Sequence, residues 1–246
     1  MDNLEKIESL KRQEYKYFVS NEEIVFLRQI LPNIMSIDPN SNIKNHYKVT
    51  SLYFDNPQKD ALDDKQSGVY YREKFRLRTY NSEKDLIKFE CKQRANTAIN
   101  KTSEVLPISI SERLVNGDYS DLYDHESQFL RETYIKFISN HYKPSIIVEY
   151  DREAYFLPYG NIRITFDMNL RTYNSQLDIL NLDTSGVPVF IENTQILEVK
   201  FSSELPDFLK TVLSRITGNR HAISKFVFGQ KYLDSSQWRD RIHLPF

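Results

Sequence analysis

The sequence contains a single cysteine, Cys91, among its 246 residues. No intramolecular disulfide can form, and such usage fits a reducing compartment. Glycine is scarce at 6 residues, while tyrosine and phenylalanine number 16 and 15. That balance suits long strands with aromatic packing. No window approaches the ~20 apolar residues of a membrane span. The start, MDNLEKIESLKRQE, is acidic and lacks the apolar core of a secretory signal. A soluble, cytoplasmic protein is the expectation, and any membrane association would need a partner. The formal net charge is -1, so no global basic field marks a nucleic-acid binder. No G-x-x-x-x-G-K-[ST] loop occurs, nor the H-R-D and D-F-G elements of protein kinases. His46, His125, His141, His221 and His243 show no metal-ligand spacing.

What is present is ordinary in bulk, with 27% charged and 40% apolar residues, as in folded soluble proteins. The distribution is not ordinary. Between Arg72 and Arg94 the chain reads as a hairpin around the polar turn Asn81-Ser82-Glu83-Lys84-Asp85. Strand side chains alternate between faces. Arg72, Lys74, Arg76 and Arg78 therefore share one face, against Phe75 and Leu77 on the other. In the second arm Lys88, Glu90, Lys92 and Arg94 alternate with Ile87, Phe89 and Cys91. Cys91 accordingly reads as a buried structural thiol. A charged face is commonly just the wet side of a sheet. Like charges placed opposite one another nevertheless destabilise a sheet, and a polyanion would offset the repulsion.

The same grammar recurs along the chain. Arg12 to Val19 reads as a strand, then Ser20 and Glu23 form a capping-box pattern for a helix to about Leu31, stopped by Pro32. His46 to Asp55 is a strand closed by Asn56-Pro57, and Gln58 to Gly68 is a loop or short helix. Thr97 to Pro107 adds a further strand, and Ser111 to His141 carries helical spacing up to Pro144. Strands follow at 145–154, 161–169 and 195–201, with 170–194 irregular between the last two. A helix spans Leu205 to Thr217, with Pro206 near its start and Gly218 past its end. The segment around Ser224 to Tyr232 forms a last short element. No repeat or linker appears, so the chain reads as one domain over residues 1–246. If the charged faces point inward in a closed barrel they line a tunnel, with the helices at 20–31, 111–141 and 205–217 covering the apolar faces. The fold class is then α+β, an antiparallel β-barrel with helices packed outside.

The ordered run SLYFDN, FRLRTY, KFECK, VEYDREAY, NIRITFD, ILEVKF and SKF resembles the VTC domain, the polyphosphate polymerase branch of the triphosphate tunnel metalloenzymes, related to the CYTH triphosphatases. The likeness extends from Arg12 to about Tyr232. It implies a tunnel that grips a triphosphate and a divalent metal, Mn²⁺ or Mg²⁺. Position by position, it implies phosphate-handling roles for Lys16, Arg76, Arg78, Lys92, Lys101, Tyr150, Arg152, Arg163, Ser224 and Lys225, and a metal-binding role for Glu198. Lys88, Lys200, Glu14 and Glu90 share the inferred inner faces. In SIIVEYDRE the resemblance requires the face of Tyr150 and Arg152 to point inward, a choice that charge alternation alone does not make.

Phosphoryl transfer asks chiefly for charge neutralisation, positioning and metal bridging. Arginine forks, lysine point charges and carboxylate oxygens provide these. The resemblance implies an ATP-dependent polyphosphate polymerase. A triphosphatase on the same scaffold and a noncatalytic polyphosphate-binding module are the alternatives. The implied partners are ATP, polyphosphate or another triphosphate, with a membrane partner for the polymer left open.

Overall fold

The computed structural model describes residues 13–38, 46–62, 71–81, 83, 86–95, 98–173, 177–182, 186–190, 193–202 and 204–236. Arg12, most of Gln58 to Gly68, and part of the hairpin turn lie outside them. The chain is α+β, as expected. Among the described residues ten strands pair into one antiparallel sheet: β1 (Gln13–Val19), β2 (Ser36–Ile37), β3 (His46–Asp55), β4 (Tyr71–Tyr80), β5 (Ile87–Ala95), β6 (Ala98–Leu106), β7 (Lys143–Leu157), β8 (Ile162–Tyr173), β9 (Val187–Pro188) and β10 (Gln195–Phe201). The main path runs β1-β10-β8-β7-β3-β4-β5-β6, with β2 on β7 and β9 on β8. Among the described residues this path has two ends, β1 and β6. Among the described residues the α-helices are α1 (Asn21–Ile30), α2 (Ile108–Val115), α3 (Gln128–Ser139), α4 (Asp207–Leu213) and α5 (Lys225–Ser236).

The chain divides into two compact units. One comprises Met1–His46, Glu153–Asp167 and Asn193–Ala222; the other comprises Tyr47–Arg152, Met168–Glu192 and Ile223–Phe246. In the first, α1 starts where the sequence places it. The Ser20 hydroxyl accepts from the Glu23 amide, and the Glu23 carboxylate accepts from the Ser20 amide, which satisfies two amides the helix leaves open. The helix buries Ile24 and Leu27. Strands β1, β10 and the first half of β8 pair antiparallel and bury Tyr17, Leu197, Val199, Ile164 and Phe166.

In the second unit, the apolar faces of β3 to β6 pack on α2 and α3. Leu52, Phe54, Phe75, Leu77, Phe89 and Cys91 meet Leu114, Leu130 and Phe137 in one core. Phe137 stands edge-on to Phe75 at 5.0 Å, an arrangement favoured by the ring quadrupoles. Burial there pushes the Cys91 thiol up to about 12, in keeping with a structural role.

The helical stretch expected over Ser111 to His141 is instead two helices. Gly117 adopts a left-handed φ of 77° just past α2, as helix ends favour. Arg113 then ties down the turn through Asp118, Ser120 and Asp121. Tertiary contacts also lengthen β7 back to Lys143 and β8 on to Tyr173, into the stretch that reads as irregular. α4 is shorter than its periodicity implies, and the last element is a three-turn helix. Gly229 explains part of that helix's placement. A Cβ there would meet Ile146 Cδ1 and Thr172 Oγ1 at 3.2 Å, so glycine permits close approach to the sheet.

Candidate functional site

The hairpin register sets the charged side chains in rows. Across β3, β4 and β5, Tyr53 pairs with Arg76 and Arg76 with Glu90; Ser51 pairs with Arg78 and Arg78 with Lys88. A further row runs Lys74, Lys92 and Lys101 across β4, β5 and β6. The repulsion expected of such rows is offset in part from within. Glu90 is 2% exposed, and three cations converge on it: Arg76 Nε at 2.6 Å, Arg78 Nη2 at 3.5 Å, and Lys101 Nζ. Burial pushes the Glu90 carboxyl up, but Arg76 and Lys101 outweigh it and hold the group below the usual glutamate value. Burial would likewise lower Arg76, yet the Tyr53 and Glu90 oxygens beside it raise it above the ordinary arginine value. Arg76 also donates to the Tyr53 hydroxyl at 3.0 Å.

Tyr150 gathers the next group. Tyr150 is 4% exposed, and its ring lies beneath Arg152 Cζ at 5.2 Å and Lys225 Nζ at 4.9 Å. Through α5, which sets Lys225 over Tyr150 and Phe226 against Tyr53, the face carrying Tyr150 and Arg152 adjoins the basic rows of the same unit. Glu149, on the opposite face, binds Lys48, Thr50 and Tyr173. Lys225 opens α5, preceded by Ser224. One turn of helix sets Phe226 against Tyr53 at 5.0 Å and under Lys74 Nζ at 4.5 Å. Lys88 and Arg78 both lie over the Tyr80 ring, at 5.7 and 6.0 Å. Lys92 lies between Lys74 and Lys101 in register and is exposed.

In the other unit the register gives a checkerboard. Lys16 pairs with Glu198 and Glu14 with Lys200; on the far side Glu198 pairs with Thr165 and Lys200 with Arg163. Lys16 contacts Glu14 at 3.6 Å and Glu198 at 3.3 Å, while Lys200 contacts them at 3.3 and 3.0 Å. Arg163 is paired with the buried Asp38. Glu198 itself is 3% exposed.

The sequence matches the VTC domain over residues 11–234, nearly the whole chain. The chain belongs to the VTC domain family. No curated protein matches it. Among solved structures, it resembles a Bacillus halodurans protein provisionally described as an adenylate cyclase, at 15% identity and a TM-score of 0.51, over 88% of this chain and 98% of that one. It also resembles the PH1819 protein of Pyrococcus horikoshii OT3, at 12% identity and a TM-score of 0.47, over 89% and 98% of the two chains. The Bacillus halodurans structure shows a shared fold.

The VTC chain's donors for a metal are hard oxygens. Among the described residues no group of three or more His, Cys, Asp or Glu side chains is placed to hold a metal ion. Glu198 and Glu14 are nevertheless linked through the same two lysines. Mg²⁺ at nucleotide sites takes one or two carboxylates and completes its shell with water and phosphate oxygens. Glu198 and Glu14 fit that sparse donor set; an all-protein cage is not available among the described residues.

The cluster in each unit also contains residues that the charge alternation does not mark. Tyr53 and Ser51 share the cationic face, a fact legible in the parity of SLYFD. Phe226 reaches it only because the last element is helical. Asp38 follows a two-residue strand and carries no periodic signal.

Proposed function

We propose that this VTC chain is an ATP-dependent polyphosphate polymerase, which moves the nucleotide γ-phosphate onto the end of a growing polyphosphate chain. One P–O bond to ADP breaks and one to the terminal phosphate oxygen forms. The observation that carries the reading is the basic cluster around Glu90, within a chain of this family. Three cations surround a single buried carboxylate, and further bases adjoin along the same rows.

In this reading Arg76, Arg78 and Lys101 bind phosphate oxygens, with Lys88 and Lys92 extending the track for polymer. Arg152 and Lys225, fixed over Tyr150, bear on the transferring group, and Ser224 adds a hydroxyl at the head of α5. Lys16, Lys200 and Arg163 bring positive charge in the other unit. Glu198, with Glu14, would hold Mn²⁺ or Mg²⁺, which when bound neutralises phosphate charge as a Lewis acid. The planar arginine fork can span two oxygens of a phosphate, and the low-dielectric setting strengthens each contact.

Incubation with ATP and Mn²⁺, with products resolved on a gel stained for polyphosphate, tests the proposal. A ladder of polymers is the expected result. Orthophosphate alone would assign a triphosphatase, and absence of turnover with retained polyphosphate binding would assign a binding module.

A further inference from the structure

The three cations on Glu90 are not held alike. Arg76 donates to it at 2.6 Å and is braced by the Tyr53 hydroxyl, and Lys101 lies against its other oxygen. Arg78 is held loosely, at 3.5 Å from Glu90 and 3.3 Å from the Tyr80 hydroxyl, both longer than a strong charge-assisted bond. The Arg78 Nε–H is buried and has no hydrogen-bond partner among the described residues. Ser51 is its direct cross-strand neighbour. Ser51 is 1% exposed, and its Oγ also lacks a partner among the described residues. Two buried donors side by side, bonded neither to each other nor to anything else described, are costly to maintain.

We propose that Ser51 Oγ–H and Arg78 Nε–H together receive one phosphoryl oxygen of the bound polyanion, while Arg76 and Lys101 stay on Glu90 and offer their remaining N–H donors to other phosphate oxygens. The inference rests on the triphosphate-binding reading above and adds Ser51 to it as a ligand-contacting residue. An acceptor with several lone pairs and negative charge satisfies both donors at once; a cation satisfies neither. Entry requires the Arg78 head to turn from Glu90, and the long contacts that hold it make it the cation of the three that can turn. Glu90 is left with its two close partners when it does. Thr79 supplies an internal contrast. Its Oγ1 is equally buried and unpartnered among the described residues, but parity puts it on the opposite face of β4.

Calorimetric titration of the full chain with tripolyphosphate, beside melts without ligand, tests this. Ser51→Ala removes an unsatisfied hydroxyl, so the ligand-free melting temperature should hold or rise. Its Kd should weaken about tenfold, the scale of one hydrogen bond to a charged group. Arg78→Lys keeps the charge but moves it off the fork and should weaken binding similarly. The double variant should fall short of the sum, as a shared oxygen demands. Thr79→Val should leave Kd unchanged. A wild-type Kd in Ser51→Ala, with normal binding by the wild type, overturns the Ser51 assignment alone. Failure of the wild type to bind tripolyphosphate overturns both this assignment and the reading beneath it.

Discussion

Glu90 and Glu198 are two buried carboxylates set among basic side chains on strands, and their clusters differ in net charge. Around Glu90, Arg76, Arg78 and Lys101 face one carboxylate, a surplus of two positive charges. Around Glu198, Lys16 and Lys200 face Glu14 and Glu198, and the four charges cancel. The first cluster is mainly arginine and the second is all lysine and glutamate. A surplus attracts a polyanion unaided, whereas a balanced square does so only after a cation joins it. Under the proposed function, the contrast predicts that anion binding rests chiefly on the first cluster and metal dependence on the second.

The largest effect that would break this comparison is at Glu198. Glu198→Gln should lower turnover on the order of 10²-fold, the scale of losing one preorganised electrostatic group, while tripolyphosphate affinity persists. Titration of Mn²⁺ against activity in both proteins decides the point, because an unchanged metal requirement would remove Glu198 from the metal site. Chelation with EDTA makes the same cut without mutation. Activity should vanish while tripolyphosphate still raises the melting temperature of the wild type.

Arg76 and Arg78 sharpen the comparison within the basic cluster. Arg78→Ala should cost binding about tenfold or more, with little change in ligand-free stability. Arg76→Ala should also lose about 2 kcal/mol of ligand-free stability, since it strips the close partner from a buried carboxylate. Equal melting temperatures for the two variants would contradict the unequal hold that Glu90 has on them.

The smallest effect lies in acid. Glu90 is held below the ordinary glutamate value when folded, with burial outweighed by Arg76 and Lys101. Its contribution to stability is therefore complete above the unfolded value, about 4.3, and fades as pH falls through the folded value. Glu73 shifts the same way: burial is again outweighed, here by Lys136, Tyr71 and Gln93. Melting temperatures between about pH 3 and 6 should fall less steeply in Glu90→Gln than in wild type.

Much of the fold is legible because the strands alternate cleanly. β3 and β10 fall on the expected residues, and the hairpin's two faces are as the parity of FRLRTY and KFECK dictates. Helix periodicity is less informative where a turn interrupts it. Asn116-Gly117-Asp118 breaks the stretch after Ser111, yet Leu114, Leu122, Leu130 and Phe137 keep core-like spacing on either side. The site's limits have the same origin. Arg76 and Arg78 stand two residues apart on one face and look equivalent in sequence. Only cross-strand register shows that Glu90 is opposite Arg76 and Ser51 opposite Arg78. Asp38 and Phe226 come from segments whose positions depend on tertiary contact, so no local pattern announces them.

The buried thiol of Cys91 offers a practical handle. With no second cysteine in the chain and the thiol pushed up to about 12, alkylating reagents at neutral pH should find almost no thiolate while the hairpin lies on its core. Every labelling event then reports an opening of that core. Where reclosing outpaces labelling, the labelling rate divided by that of an exposed thiol gives the free energy of the opening. A polyphosphate that clamps β4 and β5 should slow the reaction, giving a binding assay that needs neither turnover nor an introduced dye.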